Sequence, residues 1–358
     1  MTTLDEALAA IEPLDEAAMA AARDRLDHLT KPPGSLGRLE ELAIWMAGLT
    51  GHPAASVAHR RIVIAAADHG VAMNQPVSAW PSDVTQQMVS TFLGGRAAIS
   101  QLAKTVDASI EVIDIGVAGP TRHVMGSAKG TRFVARRIRP GTSDMTEGPV
   151  MTRAEADQAI AVGLEAVDRA IADGVELLGV GEMGIGNTTA ASAIVAALTR
   201  LPPGDVTGRG TGVDDEGLTR KVAAIERAIA VNRPDAGDPV GVLAAVGGFE
   251  IAVLVGVIVG AAARRVPLIL DGFITGAAAL VATGLEPLIA GRLVAAHRSV
   301  EPGHAIVLDR LDLRPLLDLD LRLGEGTGAA LAMSVFSAAV AIRDGMATFE
   351  EAAVSDRR

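Results

Sequence analysis

The stretch that decides the fold covers residues 175–198 and reads VELLGVGEMGIGNTTAASAIVAAL. It begins with a mostly apolar run of strand length at 175–180, continues through a glycine-rich turn, and ends in an alanine-rich run at 190–198. A strand that leads through a glycine-rich turn into a small-residue helix is the repeating unit of α/β proteins with parallel sheets. The stretch therefore predicts an α/β fold.

Similar apolar runs recur along the chain and end at Gly or Asp before small-residue helices. They lie at 61–67, 110–115, 267–270 and 293–296, and a weaker sixth run covers 133–138. Continuous apolar strands that alternate with helices indicate a parallel sheet buried on both faces. We expect an open, doubly wound sheet of about six strands, with ligands bound beyond the carboxyl ends of the strands.

The two ends of the chain have a different pattern. Apolar residues recur at helical spacing over the first 30 residues, TKPPGSLG at 30–37 interrupts the helix, and a helical pattern resumes at 38–49. We expect residues 1–55, together with about 335–358, to form a small helical domain. Residues 56–334 would then form the large α/β domain.

Composition excludes several classes of function. The chain has 358 residues and no cysteine, which excludes disulfides and thiolate chemistry, and its net charge of −11 argues against a nucleic-acid partner. Only 2% of the residues are aromatic, which argues against base-stacking surfaces. The acidic N-terminus does not resemble a signal peptide, and the apolar runs 251–263, 273–285 and 326–342 are interpreted as core helices, so we expect a cytoplasmic protein.

The glycine-rich turn matches the spacing of a dinucleotide-binding fingerprint at Gly179, Gly181 and Gly184. Glu182 lies inside the match and would repel a pyrophosphate. An NAD site also needs an acidic residue about 20 positions later at the end of a strand, where this chain has the predicted loop TRLPPGDV. An NAD site and an NTPase P-loop are both disfavoured.

A single phosphate fits the same turn better. Glycines allow a ligand to approach the backbone, and a helix N-terminus favours an anion. The residues predicted to hold it are Gly184, Gly186, Asn187, Thr188 and Thr189. The alternative is that Asn187 or Thr188 only caps the helix.

Other charged residues are open to two interpretations each. Glu325, between Gly324 and Gly326, is either a general base in an apolar pocket or an acidic residue in the first turn of a helix. Asp68-His69 is either catalytic or a core histidine held by a neighbouring acid. Three basic residues around a glycine-rich loop bind a phosphate or are surface charges: Arg209, Arg220 and Lys221. Glu250 is interpreted as structural, and no spacing of His, Asp and Glu indicates a metal site.

Six stretches in consistent order resemble the nicotinate-nucleotide:dimethylbenzimidazole phosphoribosyltransferase family. They are KPPGSLGRLE (31–40), ADHGV (67–71), GVGEMGIGNTT (179–189), VGGFEI (246–251), LDGFITGAAAL (270–280) and RLGEGTGAALA (322–332). The resemblance extends from about residue 4 to 346. It implies a six-stranded Rossmann-like sheet, a small helical domain from both chain ends and a homodimer. It also implies transfer of phosphoribose from nicotinate mononucleotide to dimethylbenzimidazole with inversion at C1′, in cobalamin biosynthesis, without a cofactor.

The resemblance also implies roles for individual residues. Glu325 is the catalytic base, Glu182 lies near the ribose or the positive charge that develops at C1′, and Lys221 meets the nucleotide phosphate together with the turn at 184–189. The candidates for the benzimidazole pocket are Asp68, His69, Trp80, Gln87, Met88 and Leu323. The segment VSAWPSDVTQQM (77–88) carries a tryptophan where some family members have a small polar residue, so the preferred acceptor stays open. The alternatives are a related enzyme that uses another base or a phenol, and a non-catalytic nucleotide-binding protein.

Overall fold

The structure is a computed structural model and describes residues 2–121 and 127–355. Residue 1 and residues 356–358, which are the outer ends of the predicted small domain, lie outside the described residues.

A parallel sheet of six strands forms the centre of the molecule. The strands are β1 (Arg60–Ala67), β2 (Ala108–Gly116), β3 (Thr131–Ala135), β4 (Leu177–Met183), β5 (Leu268–Leu270) and β6 (Leu293–Ala295). Their order is β3-β2-β1-β4-β5-β6, and every pair is parallel. This is the Rossmann order, in which the chain reverses direction across the sheet between β1 and β4. The six strands predicted from the sequence, including the weaker one, are confirmed.

Helices cover both faces of the sheet. Their bounds are α1 (Leu4–Ala9), α2 (Glu16–Asp27), α3 (Arg38–Thr50), α4 (Gly70–Asn74), α5 (Val84–Leu93), α6 (Ala98–Thr105), α7 (Arg153–Ala172), α8 (Asn187–Thr199), α9 (Pro203–Val206), α10 (Asp215–Asn232), α11 (Pro239–Val246), α12 (Phe249–Ala263), α13 (Phe273–Leu285), α14 (Pro302–Arg310) and α15 (Thr327–Gly345), with a 3₁₀ helix at Pro287–Arg292. The segment after α8, expected to be a loop, contains the short helix α9. No strand follows α8 within the described residues before β5, so the ribose-binding acid of an NAD site has no strand to follow.

Two apolar cores lie on opposite faces of the sheet because successive strand residues point to opposite sides. In β1, Val63 and Ala65 pack into the core formed with α7, α8, α12 and α13, whereas Ile62 and Ile64 pack into the core formed with α3, α5, α6 and α15. The predicted burial of the runs 251–263 and 273–285 is confirmed, because α12 and α13 are almost wholly buried. Within the described part of the chain, α15 alone is long and apolar enough to cross a membrane, and it packs against β4, β5 and α3.

The chain ends meet beside the sheet. Helix α2 packs on α3, α3 packs on α15, and an isolated bridge joins Leu29 to Thr348. In contrast, α1 packs against α7 and α12 on the opposite face, and α15 continues from the sheet into the terminal segment without a break. The division into domains at residues 55 and 334 stays a prediction.

Candidate active site

A cleft opens at the carboxyl ends of β4, β5 and β6. It contains about 860 Å³ of space including its open mouth. Each of these strands ends in a segment that lines the cleft, at 182–188, 271–275 and 297–301, and the turn before α15 closes it at 322–325. Two further segments, 77–79 and 209–213, complete the wall together with Lys221. The cleft therefore collects turns that are far apart in the sequence.

The turn after β4 leads into α8 without a side-chain cap. Gly186 is the N-cap residue, at φ 95°, and α8 begins at Asn187. The Asn187 side chain donates a hydrogen bond to the carboxylate of Glu182, and the hydroxyl of Thr188 accepts one from Lys221 at 2.7 Å. Neither side chain caps the helix, so the capping interpretation is wrong. Gly184, Gly186, Asn187 and Thr188 line the cleft, whereas Thr189 is buried beneath it.

Lys221 is the buried cation of the cleft. Its Nζ donates to Thr188 and, at 3.1 Å, to the carbonyl of Gly208. Burial lowers the pKa of Lys221 to about 8, and the Glu301 carboxylate opposes that shift. Arg209 also lines the cleft and forms an ion pair with Asp215.

Arg220, the third basic candidate, is not among the residues that line the cleft. Its guanidinium lies 3.5 Å from Glu216 on the surface of α10. Of the three basic candidates, the structure therefore places Lys221 and Arg209 at the cleft and Arg220 outside it.

Glu182 ends β4 inside the cleft and is almost fully buried. Burial and, to a smaller extent, the nearby carboxylates of Asp271 and Glu250 raise the pKa of Glu182 to about 8, although the hydrogen bond from Asn187 opposes the rise. A carboxyl group with few compensating partners is costly to bury. The arrangement therefore favours a ligand that brings positive charge next to Glu182.

Glu325 lies in a turn of three successive residues with positive φ: Gly324 at 79°, Glu325 at 64° and Gly326 at 86°. The turn precedes α15, so Glu325 is not in the first turn of that helix, and the second interpretation of this residue is wrong. Its side chain is buried, and Oε2 has no hydrogen-bond partner among the described residues. Burial, with Asp271 as a second cause, raises the pKa of Glu325 to about 7. A carboxyl of that pKa is suited to accept a proton near neutral pH.

Asp271 is a third carboxyl in the cleft with these two glutamates, and it was not predicted as a site residue. It follows β5, lines the cleft, and accepts hydrogen bonds from the backbone N–H groups of Gly326, Gly328 and Ala329 at the start of α15. The motif LDGF does place an acid at the carboxyl end of a strand, which is the signal that could have found it. His297, Ser299 and Glu301 after β6 line the cleft as well and were also missed.

The residues predicted for the acceptor pocket are not brought together. Leu323 lines the cleft and is half exposed. Ser78 and Ala79, which precede Trp80 in the sequence, also line the cleft. Trp80 is 53% exposed, and neither it nor Gln87 nor Met88 on α5 is among the lining residues. Their assignment to an acceptor pocket stays a prediction.

Asp68 and His69 lie below the cleft instead of in its wall. The His69 Nε2 lies 2.6 Å from Oε1 of Glu250, and both side chains are fully buried. Asp68 accepts a hydrogen bond from the backbone of Ala118 at 2.7 Å. His69 is thus a core histidine held by an acid, and that acid is Glu250, not its neighbour in sequence. Among the described residues, no group of three His, Asp or Glu side chains is arranged to hold a metal ion.

Comparisons with known proteins give first the class and then the family. A sequence model of the family described as Phosphoribosyltransferase matches residues 11–354. A protein of Chloroflexus aggregans, named nicotinate-nucleotide–dimethylbenzimidazole phosphoribosyltransferase, is 54% identical over 358 residues, which is 100% of this chain and 99% of the relative. A protein of the same name from Geobacter sulfurreducens is 50% identical over 99% of each chain.

A solved structure agrees with these relatives. The crystal structure of CobT from Thermus thermophilus superposes with a TM-score of 0.89 at 49% identity, and the match covers 95% of this chain and 100% of that chain. The chain is a phosphoribosyltransferase. It belongs to the nicotinate-nucleotide–dimethylbenzimidazole phosphoribosyltransferase family.

Proposed function

We propose that this chain transfers the 5-phosphoribosyl group of nicotinate mononucleotide to 5,6-dimethylbenzimidazole. The products are nicotinate and α-ribazole 5′-phosphate, a precursor of the lower ligand of cobalamin. The names of the relatives support the two substrates. The observation that carries the proposal for this chain is Glu325, which lines the cleft together with Glu182 and has a buried carboxyl whose Oε2 has no hydrogen-bond partner among the described residues.

The nucleotide phosphate would bind at the N-terminus of α8. There the backbone N–H groups of the 184–189 turn and the helix dipole favour an anion, and Lys221 adds a positive charge. Two of the three protons of the Lys221 ammonium are used by Thr188 and Gly208, which leaves one for a phosphate oxygen.

Departure of nicotinate needs no general acid. The ring nitrogen that leaves C1′ is a pyridinium in the substrate, and it keeps the bonding electron pair as a neutral ring nitrogen when the C1′–N bond breaks. The ribose carbon gains positive character in the transition state, and a carboxylate close to it lowers the energy of that state. Glu182 is the group that we propose for this role.

Attack by the acceptor does need a base. One ring nitrogen of the benzimidazole forms the new bond to C1′ from the opposite face, which inverts the configuration, and the other ring nitrogen loses its proton. Glu325 takes that proton, because its Oε2 has no other partner among the described residues and its pKa of about 7 matches the working pH.

Nicotinate release tests the proposal. Purified protein with nicotinate mononucleotide should release nicotinate only when a benzimidazole is also present, and a preparation that releases none with both substrates overturns the assignment. Glu325→Gln should bind the nucleotide normally and lose turnover by roughly 10²-fold. Glu226→Gln, which removes an exposed carboxylate from α10, is the matched control and should keep full activity.

The acceptor and the assembly are the finer parts of the proposal. A panel of 5,6-dimethylbenzimidazole, benzimidazole, adenine and a phenol should give the highest kcat/KM with the first; a preference for the phenol would assign this chain to the related enzyme class. We further propose a cytoplasmic homodimer. Light scattering of the purified chain should give twice the 36.6 kDa chain mass.

A further inference from the structure

Asp271 connects the two glutamates of the cleft to the helix behind them. Its Oδ1 accepts hydrogen bonds from the N–H groups of Gly328 at 2.7 Å and Ala329 at 3.1 Å, and its Oδ2 accepts one from Gly326 at 3.1 Å. A residue 55 positions away in sequence thus caps α15, whose own N-cap residue is a glycine without a side chain. A charged acceptor on three N–H groups is a strong form of cap.

The turn that this cap holds is strained. Glu325 has φ 64° between two glycines that also have positive φ, and a side-chain-bearing residue persists in that region only where its surroundings enforce the conformation. A Cβ at Gly181 on β4 would overlap the backbone of Glu325 and Gly326, so β4 packs directly against the turn. The Asp271 cap and β4 together fix the direction in which the Glu325 side chain points.

We propose that Asp271 is a positioning residue for the transfer reaction: it holds the 324–326 turn so that Glu325 faces the acceptor. The negative charge of Asp271 beside Glu325 also favours the protonated form of that base. This inference rests on the proposed function.

Electrostatics supports the inference. Burial raises the pKa of Asp271, but the three N–H groups and His297 oppose that rise, so of the three clustered carboxyls Asp271 has the most support for its ionised form. Its negative charge is a cause of the raised pKa values of both Glu325 and Glu182. The other charged and titratable groups that face this cluster come from β4, α12, the segments after β6 and the turn before α15: Glu182, Glu250, His297, Asp318 and Arg322.

Asp271→Asn separates charge from shape. The amide oxygen keeps the bonds to Gly328 and Ala329 while the negative charge is lost. The midpoint of the acid limb of kcat against pH should move down by about one pH unit, because a like charge next to the base is removed. At pH 9, kcat should fall roughly tenfold or more because the turn loses its bond to Gly326. The Kd for nicotinate mononucleotide should stay within threefold, since Lys221 is untouched.

A second variant and a control complete the experiment. Asp271→Ser removes the same charge with a smaller side chain and is measured in the same way if the asparagine variant does not fold. Asp238→Asn removes the capping carboxylate of α11, which bonds to Gly241 outside the cleft, and should leave both kcat and the midpoint unchanged. A folded Asp271 variant whose acid limb does not move overturns the inference, because a purely structural cap would lower kcat without shifting that midpoint.

Titration of Glu325 itself keeps the test independent of turnover. The ¹³C carboxyl resonance of Glu325, assigned by its absence in Glu325→Gln, should titrate at a lower pH in Asp271→Asn than in the wild type. If the wild type releases no nicotinate, the proposed function fails while this titration still decides the role of Asp271. An unchanged carboxyl titration in an active enzyme refutes the inference alone.

Discussion

Glu182→Gln should make the protein more stable and nearly inactive. The wild-type carboxyl is buried beside other carboxyls, and its pKa of about 8 compares with 4.5 for an unburied glutamate. Glutamine keeps an acceptor for the Asn187 amide, has nearly the same shape, and carries no charge at any pH. Activity should fall by roughly 10²-fold, the scale for loss of one electrostatic contact to a transition state.

The size of the stability gain depends on pH. Because the folded-state pKa of Glu182 is raised, the unfolded chain binds fewer protons between pH 4.5 and about 8, and the free energy of unfolding falls as pH rises through that window. At about 1.4 kcal/mol per pH unit, the wild type loses about 4 kcal/mol by pH 7.5 and about 1 kcal/mol by pH 5. The glutamine variant does not lose this stability, so its advantage should grow by about 3 kcal/mol between the two values.

Urea unfolding at pH 5.0 and pH 7.5 measures that difference. The free energy of unfolding is compared for the wild type, Glu182→Gln and Glu226→Gln, an exposed glutamate whose removal should change stability by less than about 0.5 kcal/mol at either pH. A Glu182→Gln advantage that is equal at the two pH values, or a variant less stable than the wild type at pH 7.5, would refute the electrostatic reasoning.

Three further predictions concern the rest of the cleft. Lys221→Met should weaken binding of nicotinate mononucleotide roughly 10–100-fold in calorimetry, because a charge-assisted bond to the phosphate is worth about 1.5–3 kcal/mol; unchanged affinity would move the phosphate elsewhere. The wild-type kcat should fall below a midpoint near pH 7, since Glu325 must be ionised to act as a base, and a flat profile from pH 5 to 8 contradicts this role. Gly324→Ala should lower activity by roughly 10²-fold, because its Cβ would displace the Glu182 carboxylate. Gly34→Ala has a similar φ and open space around it, so it should cost only about 1 kcal/mol of stability and keep activity, and equal losses in the two variants would refute the steric argument.

The sequence predicted the sheet well because its signal is local. Four of the six strands are apolar runs that end at or just before Gly or Asp, and β3 overlaps the first half of the weaker run at 133–138. The glycine-rich turn after β4 and the isolated glutamate between glycines at 325 were recognised for the same reason: a few adjacent residues carry the pattern. Gly186, Gly324 and Gly326 have positive φ, and glycine adopts such φ values readily, so the residue type alone indicates these turns.

Long-range pairing was not predictable in this way. The sequence offered Asp68 as the partner of His69, whereas the structure pairs His69 with Glu250, 181 residues away. Trp80 was a candidate for the acceptor pocket, yet it is 53% exposed and is not among the residues that line the cleft. The sequence places Asp271 at the end of a strand but not its partners, because these are backbone N–H groups at the start of a helix that begins 56 residues later, and backbone groups leave no mark in the sequence.

By itself, the sequence determined that this chain forms a parallel α/β sheet and that glycine-rich turns with an acid in each lie at the carboxyl edge of that sheet. Only the tertiary structure decided that Glu182, Asp271 and Glu325 are buried side by side, with Lys221 buried in another wall of the same cleft. The physical reason is that the pKa of a carboxyl depends on burial and on neighbouring charges in space. Three segments, each separated from the next along the chain by about 50 to 90 residues, acquire their chemistry when β4, β5 and α15 converge on one cleft.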